Sequence, residues 1–255
     1  MATVPAGYVT GAFTANTVLQ LIHYLKVDER YLHRSANKAV QALQRRASQE
    51  PGIVVNAIQG LVLWTPGVYN FDAITKTKTV AKLLAVANLP TFVDLIPTIH
   101  GAIKRPQAID DKQADAKRRA FADVLVSICT RTLAMISEEN DAPRLVAGMV
   151  LDALIGLAYS NNSLGMDGRT FEPPPSSACR EYFRSRVRTC LDHSLQHSAT
   201  KAHLLRHTID SLKAVQEQAD PDDTTVEFDT ETQKIVDTAW KSVRKISKNV
   251  RLANC

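Results

Sequence analysis

Apolar residues recur at helical spacing along almost the whole chain of 255 residues. No segment shows the convincing alternation of apolar and polar residues that a half-buried strand requires. The aromatic content of 6% and the 10 glycines are also poor material for the turns and pleated faces of a β-sandwich or barrel. The sequence therefore predicts an all-α protein.

The segment 28–49 shows this pattern most clearly. One face of the predicted helix is apolar and consists of Leu32, Ala36, Ala39, Val40, Leu43 and Ala47. The other side is polar and basic, with Arg34, Asn37, Lys38, Gln41, Arg45 and Arg46. The next helix, predicted to begin at Pro51, is apolar on most sides, so we expect neighbouring helices to enclose it.

Further helices are predicted at 13–26, 75–89, 90–105, 112–137, 141–160, 176–198, 200–219 and 230–251. Within 90–105, Pro97 predicts a kink or a break. Helices of this length joined by brief loops indicate stacked antiparallel helix pairs, which form a HEAT/armadillo-like α-solenoid. Because the repeats share no fixed period, an irregular helical bundle is the alternative.

Two loop-like stretches divide the chain into predicted blocks. A first helical-repeat block covers 1–160, a Pro/Gly-rich connection covers 161–175, and a second helical block covers 176–255. Within the second block, residues 219–229 hold five acidic groups and no basic one, which predicts a solvated acidic loop before a basic last helix.

Motifs for catalysis are missing from the sequence. It contains neither glycine-rich phosphate-binding pattern, G-x-G-x-x-G or G-x-x-x-x-G-K-[ST], and no G-x-S-x-G nucleophile turn. Its adjacent aspartates, at 110–111 and 222–223, lie in loop-like sequence rather than at the ends of strands. We therefore predict a protein that is not an enzyme and that has no cofactor and no small-molecule substrate.

Two pairs of histidines have a spacing that could place both imidazoles on one helix face. They are His193 with His197 and His203 with His207. The metalloprotease motif requires a glutamate directly after the first histidine, and serine and leucine stand there instead. The favoured interpretation is surface or half-buried histidines and no metal site. A metal-dependent enzyme is the alternative, and it predicts stoichiometric zinc in the purified protein.

Basic residues form four clusters in a chain of formal charge +5. The clusters are Lys76, Lys78 and Lys82; Lys117, Arg118 and Arg119; Arg180, Arg184 and Arg188; and Lys241, Arg244, Lys245 and Lys248. Such arrays hold phosphate backbones because each cation displaces a condensed counterion. They predict contact with DNA or RNA, although exposed helix faces are commonly charged for solubility alone. No aromatic ladder accompanies them, so base stacking is not indicated.

The cysteine pattern suits a reducing compartment, and the hydropathy of the chain predicts no membrane-spanning helix. The four cysteines are far apart and form no C-x-x-C pair. The most apolar stretch, 145–159, is short for a bilayer span and contains Asp152.

Four segments together resemble an internal region of the Myb-binding protein 1A family, whose fungal members are called DNA polymerase phi. They are DERYLHRSANKAVQAL (28–43), GVYNFDAITKTKTVAKLL (67–84), DAKRRAFADVLVSI (115–128) and PPPSSACREYFRSRVRTCLDH (173–193). The resemblance implies a nucleolar helical-repeat protein linked to rDNA transcription and ribosome biogenesis, and not a replicative polymerase. Family members are several times longer.

The motif NFDAITKTKTV is the most specific part of this resemblance. Asn70 or Asp72 can cap a turn, Phe71 can fill the groove between successive helices, and Thr75 can begin the next helix. Lys76 and Lys78 would then face outward. We favour a structural loop between repeats over a binding motif.

Two functional hypotheses follow from the residues and the resemblance. The first is a non-enzymatic nucleolar scaffold in rDNA transcription and ribosome biogenesis, which binds nucleolar proteins or transcription factors and also rDNA or pre-rRNA. The second is a protein-only adaptor solenoid whose basic faces merely keep it in solution.

Overall fold

The computed structural model describes residues 13–63, 68–136, 141–159, 171–196, 198–217 and 234. In these residues all regular structure is helical, which confirms the all-α prediction. The helices are α1 (Ala15–Lys26), α2 (Arg30–Gln49), α3 (Ile53–Ile58), α4 (Phe71–Thr75), α5 (Thr79–Val86), α6 (Leu89–Lys104), α7 (Asp111–Leu133), α8 (Ala142–Tyr159), α9 (Ser177–Gln196) and α10 (Ser198–Glu217). The predicted acidic loop 219–229 and most of the predicted last helix 230–251 lie outside the described residues.

Polar side chains cap the N-termini of several of these helices. Glu29 accepts hydrogen bonds from the backbone N–H groups of Tyr31 and Leu32 at the start of α2. Asn88 caps α6 and Asp110 caps α7 in the same way, each through the N–H three residues later. These caps satisfy N–H groups that have no partner within their own helix.

Pro51 lies just before its helix and Pro97 does not split its helix, while a kink at Pro97 stays a prediction. Helix α3 begins at Ile53, two residues after Pro51, which lies in the preceding turn. Helix α6 runs without a break through Pro97, so the helix is not split there. Pro97 and Val93, whose carbonyl loses its partner, are both exposed, and water can satisfy that carbonyl.

Helix α3 continues into a π-helical turn, Gln59–Leu63, and this region is enclosed as predicted. Both segments pack against α6. Gly60 in the π-helical turn lies so close to Phe13 that an added Cβ would approach the Phe13 Cβ to 2.3 Å. A glycine is needed here because the Phe13 side chain packs directly against the backbone of the π-helical turn.

Helix α2 buries a narrower stripe than the sequence predicts. Ala36, Val40 and Ala47 are buried against α1, α3 and α5. Leu32, however, is 40% exposed, and Ala39 is exposed as well. The opposite, polar face of α2 is therefore broad.

Helix α8 lies at the centre of the second half of the described chain. It contacts α6, α7, α9 and α10, and most of its residues are buried. Within the described residues it is the one helix whose length and composition would suit a bilayer, and it is longer than the apolar stretch 145–159. Because most of it is buried inside the protein, its apolar character is that of a core helix.

From α6 onward, each helix contacts the next one and the next but one. Thus α6 packs on α7 and α8, α7 on α8 and α9, and α8 on α9 and α10. Stacked helix pairs produce contacts of this kind. The solenoid itself stays a prediction.

One hydrophobic cluster extends from Val18 in α1 to Val215 in α10. Helices before and after the predicted connection 161–175 share this cluster, since α9 packs on both α7 and α8. The chain re-enters the described structure at Phe171, which is buried. The next residue donates its backbone N–H to the Lys104 carbonyl at 2.9 Å. The division into three blocks remains untested.

Candidate nucleic-acid interface

The cluster at 117–119 is mostly inside the protein. Lys117 and Arg118 on α7 are 0% exposed, whereas Arg119 is exposed. Burial lowers the pKa of both Lys117 and Arg118. These two side chains cannot contact a polyanion in this arrangement, which corrects the prediction of an exposed cluster for this pair.

Arg118 instead connects three parts of the chain. Its Nε donates to the Ile103 carbonyl at the end of α6 at 2.9 Å, and Nη1 lies 3.3 Å from an Asp115 carboxylate oxygen. Its Nη2 donates to the Pro173 carbonyl in the segment before α9. The opposite charge of Asp115 and the carbonyls together offset the cost of burying the guanidinium.

The arginines of α9 are largely engaged within the protein. Arg184 donates to the Ala158 carbonyl at 3.2 Å and stacks over the Tyr159 ring at 5.4 Å. Arg188 pairs with Glu181 at 2.9 Å. Arg180 is half-buried, and burial together with the nearby charge of Arg184 lowers its pKa. This face of α9 is therefore less available to phosphate than its sequence pattern indicates.

The cluster at 76–82 is exposed, as expected for Lys76 and Lys78. Lys76 follows α4 in a left-handed conformation with φ of 54°. Lys78 immediately precedes α5. Lys82 extends from α5 toward α2, where its ammonium lies 3.4 Å from the Gln44 side-chain oxygen.

The motif around these lysines is a structural connection between α4 and α5. Asn70 caps α4 through the Ala73 N–H, and Phe71 is fully buried, as predicted. Asp72 does more than expected, since its two carboxylate oxygens accept the N–H groups of Val80 and Ala81 at the start of α5. Thr75 ends α4 rather than beginning the next helix, which corrects that part of the prediction.

The fourth cluster, Lys241, Arg244, Lys245 and Lys248, lies outside the described residues. Its contact with nucleic acid stays a prediction.

The paired histidines are not brought together as a metal site in the part of the structure described. His197 and the side chain of His203 lie outside it, and the remaining residues contain no group of three metal-binding side chains. His207 Nε2 instead lies 3.0 Å from Asp152 Oδ1, which also accepts a hydrogen bond from Ser211. Gly148 makes room for this imidazole, because a Cβ there would lie 3.1 Å from it.

A fifth basic surface is present on α2, on the face that the sequence predicts as the polar and basic side of this helix. We define the α2 basic face by Arg30, Arg34, Lys38 and Arg45, together with Lys82 from α5; all five are exposed. The signal for it was present in the sequence, because α2 contains no aspartate or glutamate over its whole length. Its cations are spread along the helix, whereas the four predicted clusters are short groups of three or four basic residues.

Comparison with known proteins identifies one family model and one curated relative to which the chain is similar. Residues 1–254 match the family model described as DNA polymerase phi. The rDNA transcriptional regulator pol5 of Schizosaccharomyces pombe is 31% identical over 119 residues, which is 46% of this chain and 12% of that protein. The chain thus aligns with a small part of a much longer relative. No solved structure matches significantly. Because the family model covers nearly every residue, the chain belongs to the DNA polymerase phi family.

Proposed function

We propose that this protein acts in the control of rDNA transcription as a non-enzymatic helical scaffold in the nucleus, within the nucleolus. The observation that carries the proposal is membership of the DNA polymerase phi family together with similarity to a relative named as an rDNA transcriptional regulator. Ribosome biogenesis is the wider process in which such a scaffold would work.

A role without catalysis is supported by the name of the relative and by the described residues. That relative is named as a regulator and not as a polymerase. Charged groups inside the described structure serve packing, since Arg118 joins α6, α7 and the segment before α9, and Asp152 joins α8 to α10.

Partner binding follows from the proposed helical-repeat arrangement. Contacts between each helix and its next two neighbours support a solenoid, and solenoids offer extended surfaces to proteins and nucleic acids. We propose nucleolar proteins or transcription factors as protein partners, and rDNA or pre-rRNA as the nucleic acid.

Chromatin immunoprecipitation of the tagged full chain tests the role in rDNA transcription. Enrichment of rDNA repeats over single-copy genes, with reduced pulse-labelled pre-rRNA after depletion of the protein, is the expected result. Depletion that leaves pre-rRNA synthesis unchanged, without rDNA enrichment, would contradict the role.

The protein-only adaptor is the second candidate, and the internal engagement of Arg184 and Arg188 favours it. Charge reversal at Lys241, Arg244 and Lys248 tests whether the predicted basic last helix binds RNA, and so distinguishes the two candidate functions. The scaffold that also binds nucleic acid predicts loss of RNA binding, and the adaptor predicts no change.

A further inference from the structure

We propose that the α2 basic face binds the phosphodiester backbone of a nucleic acid. This inference rests on the proposed function and assigns its nucleic-acid contact to a surface centred on α2, which shares only Lys82 with the four predicted clusters. Three features of α2 support it: its charge of one sign, the arrangement of its polar residues, and the lack of internal ion-pair partners for the exposed cations of the face within the described structure.

The charge on α2 is of one sign over its whole length. It carries five arginines and lysines and no carboxylate between Arg30 and Gln49. Acidic residues occur only at its ends: Asp28 and Glu29 precede it, and Glu50 follows it. Glu29 uses both carboxylate oxygens as a helix cap, and Glu50 pairs with Arg46 at 3.4 Å.

The cations of the α2 basic face lie on one side of the helix. At about 100° per residue, Arg30, Arg34, Lys38 and Arg45 fall within an arc of about 80°. The same side holds neutral hydrogen-bonding side chains, namely Asn37, Gln41, Gln44 and Ser48. Lys82 joins this side through Gln44. Cations interspersed with amides and a hydroxyl are the groups that contact phosphate and sugar oxygens.

Two shallow grooves that share Gln41 lie along this face. The first contains Arg30 and Arg34, with Asp28 at its N-terminal end, and the second contains Arg45 and Lys82. At a rise of about 1.5 Å per residue, Arg30 and Arg45 are about 22 Å apart along the helix. That length matches several consecutive phosphates of one strand, spaced about 3.4 Å along a duplex axis.

The exposed cations of α2 differ from those of α9 in their surroundings. Among the described residues, Arg30, Arg34, Lys38 and Arg45 have no carboxylate within ion-pair distance. On α9, by contrast, Arg184 and Arg188 are paired with Glu181. Charges without an internal partner interact most strongly with an external anion and release its counterions on binding.

An acidic protein is the competing occupant, and the composition of the face favours nucleic acid. Protein interfaces are centred on buried aromatic or aliphatic anchors, and charged residues are depleted from their cores. The arc that holds the α2 cations contains polar and basic side chains; exposed Tyr31 lies at its edge.

The test compares the full chain with a triple variant, Arg34→Gln, Lys38→Gln and Arg45→Gln, and with a matched control of equal net charge. The control is Arg105→Gln, Lys112→Gln and Arg206→Gln, since these three are also exposed cations on other helices or their ends. Circular dichroism establishes that each variant is folded. Fluorescence anisotropy then measures binding to duplex DNA, duplex RNA and single-stranded RNA across a salt series, with poly-glutamate as the acidic-protein probe.

We expect the α2 variant to lose at least ten-fold in affinity for nucleic acid at low salt. The slope of log affinity against log salt should fall by about two to three, because three phosphate contacts are removed. The control variant should change affinity less than three-fold. The three nucleic-acid probes show whether DNA or RNA is the preferred source of the phosphates.

Equal losses in the two variants would overturn the α2 basic face while leaving nucleic-acid binding in place. Tighter binding of poly-glutamate than of every nucleic acid, lost in the α2 variant, would overturn it in favour of an acidic protein partner. Absence of any binding by the unmodified chain at low salt would overturn both this inference and the nucleic-acid part of the proposed function.

Discussion

At the scale of single residues, the buried Arg118 and the partly exposed Asp152 have structural roles that their sequence context does not reveal. Arg118 belongs to a run of basic residues, yet it is fully buried and serves three hydrogen-bond acceptors. Asp152 interrupts an apolar helix, yet it accepts hydrogen bonds from two side chains of α10. In both cases the partners lie far away in sequence, so periodicity alone could not identify them.

Substitution of Arg118 should destabilise the protein strongly. Arg118→Gln leaves Asp115 and two backbone carbonyls without their donor, which should lower the free energy of unfolding by about 3–5 kcal/mol. Arg119→Gln, one residue along the same helix but exposed, should change it by less than about 0.5 kcal/mol. Urea unfolding of the two variants measures the difference, and similar losses in both would contradict the structural role of Arg118.

The Asp152–His207 link should make stability depend on pH. The hydrogen bond with Asp152 raises the pKa of His207 against the opposing effect of burial, so the link stabilises the fold most when His207 is protonated. Its contribution is present below the ordinary histidine pKa and is lost as pH rises through the raised value. For Asp152, burial would raise the pKa, but hydrogen bonds from His207 and Ser211 lower it overall. That carboxylate contributes above its ordinary pKa and its contribution is lost in acid.

Thermal unfolding at pH 5.5 and pH 8 tests this link. His207→Gln should reduce the loss of stability between these two pH values, because the ionisable partner is removed. His193→Gln, which replaces another half-buried histidine, on α9, is the matched control. An unaltered pH dependence in the His207 variant would show that the link does not control it.

At the scale of elements, the sequence identified helices better than their ends. The apolar stripe of α2 and the enclosed α3 follow directly from spacing. The short helix α4 lies where the sequence predicts only a capped turn before a helix at 75–89, and the sequence did not reveal that Asp72 reaches across the loop to cap α5. Pro97 does not split α6, and the sequence could not show that Pro97 and Val93 face solvent.

Removal of the Asp72 carboxylate should weaken the start of α5. Asp72→Ala leaves the N–H groups of Val80 and Ala81 without that acceptor and should cost about 1–2 kcal/mol. Lys78 stands directly before α5 and provides no side-chain cap, so Lys78→Ala should be nearly neutral. Chemical denaturation compares the two; a costly Lys78 variant beside a neutral Asp72 variant would contradict this assignment of the cap.

At the scale of the whole molecule, the all-α class was predictable and the arrangement of the helices was not. Helical spacing is a local property, whereas the contacts of α8 with four other helices depend on distant parts of the chain. The candidate interface was equally hard to locate from the sequence. Lys117 and Arg118 are buried and cannot contribute to it, whereas the cations of the α2 basic face are exposed. The continuous hydrophobic cluster also predicts how the described helices unfold.

A cavity in α8 should weaken helices on both sides of the predicted connection. Leu154→Ala removes a side chain that is 0% exposed and should cost about 2–5 kcal/mol. Hydrogen exchange should accelerate together in α6 and α10, since both pack on α8. Leu145→Ala on the same helix, at 65% exposure, should have little effect. Acceleration confined to one side would instead support separate helical blocks.

The residues just before α9 are held in place by two hydrogen bonds to other helices, from the Glu172 N–H to the Lys104 carbonyl and from Arg118 to the Pro173 carbonyl. The Lys104 carbonyl and Arg118 fix the backbone there, so the entry to α9 is set locally and not by the route that precedes it. A change elsewhere in the chain that spares these contacts should therefore leave the start of α9 in place. Relatives that differ in length can share this core as long as they keep a backbone N–H for the Lys104 carbonyl and a backbone carbonyl for Arg118 at the entry to this helix.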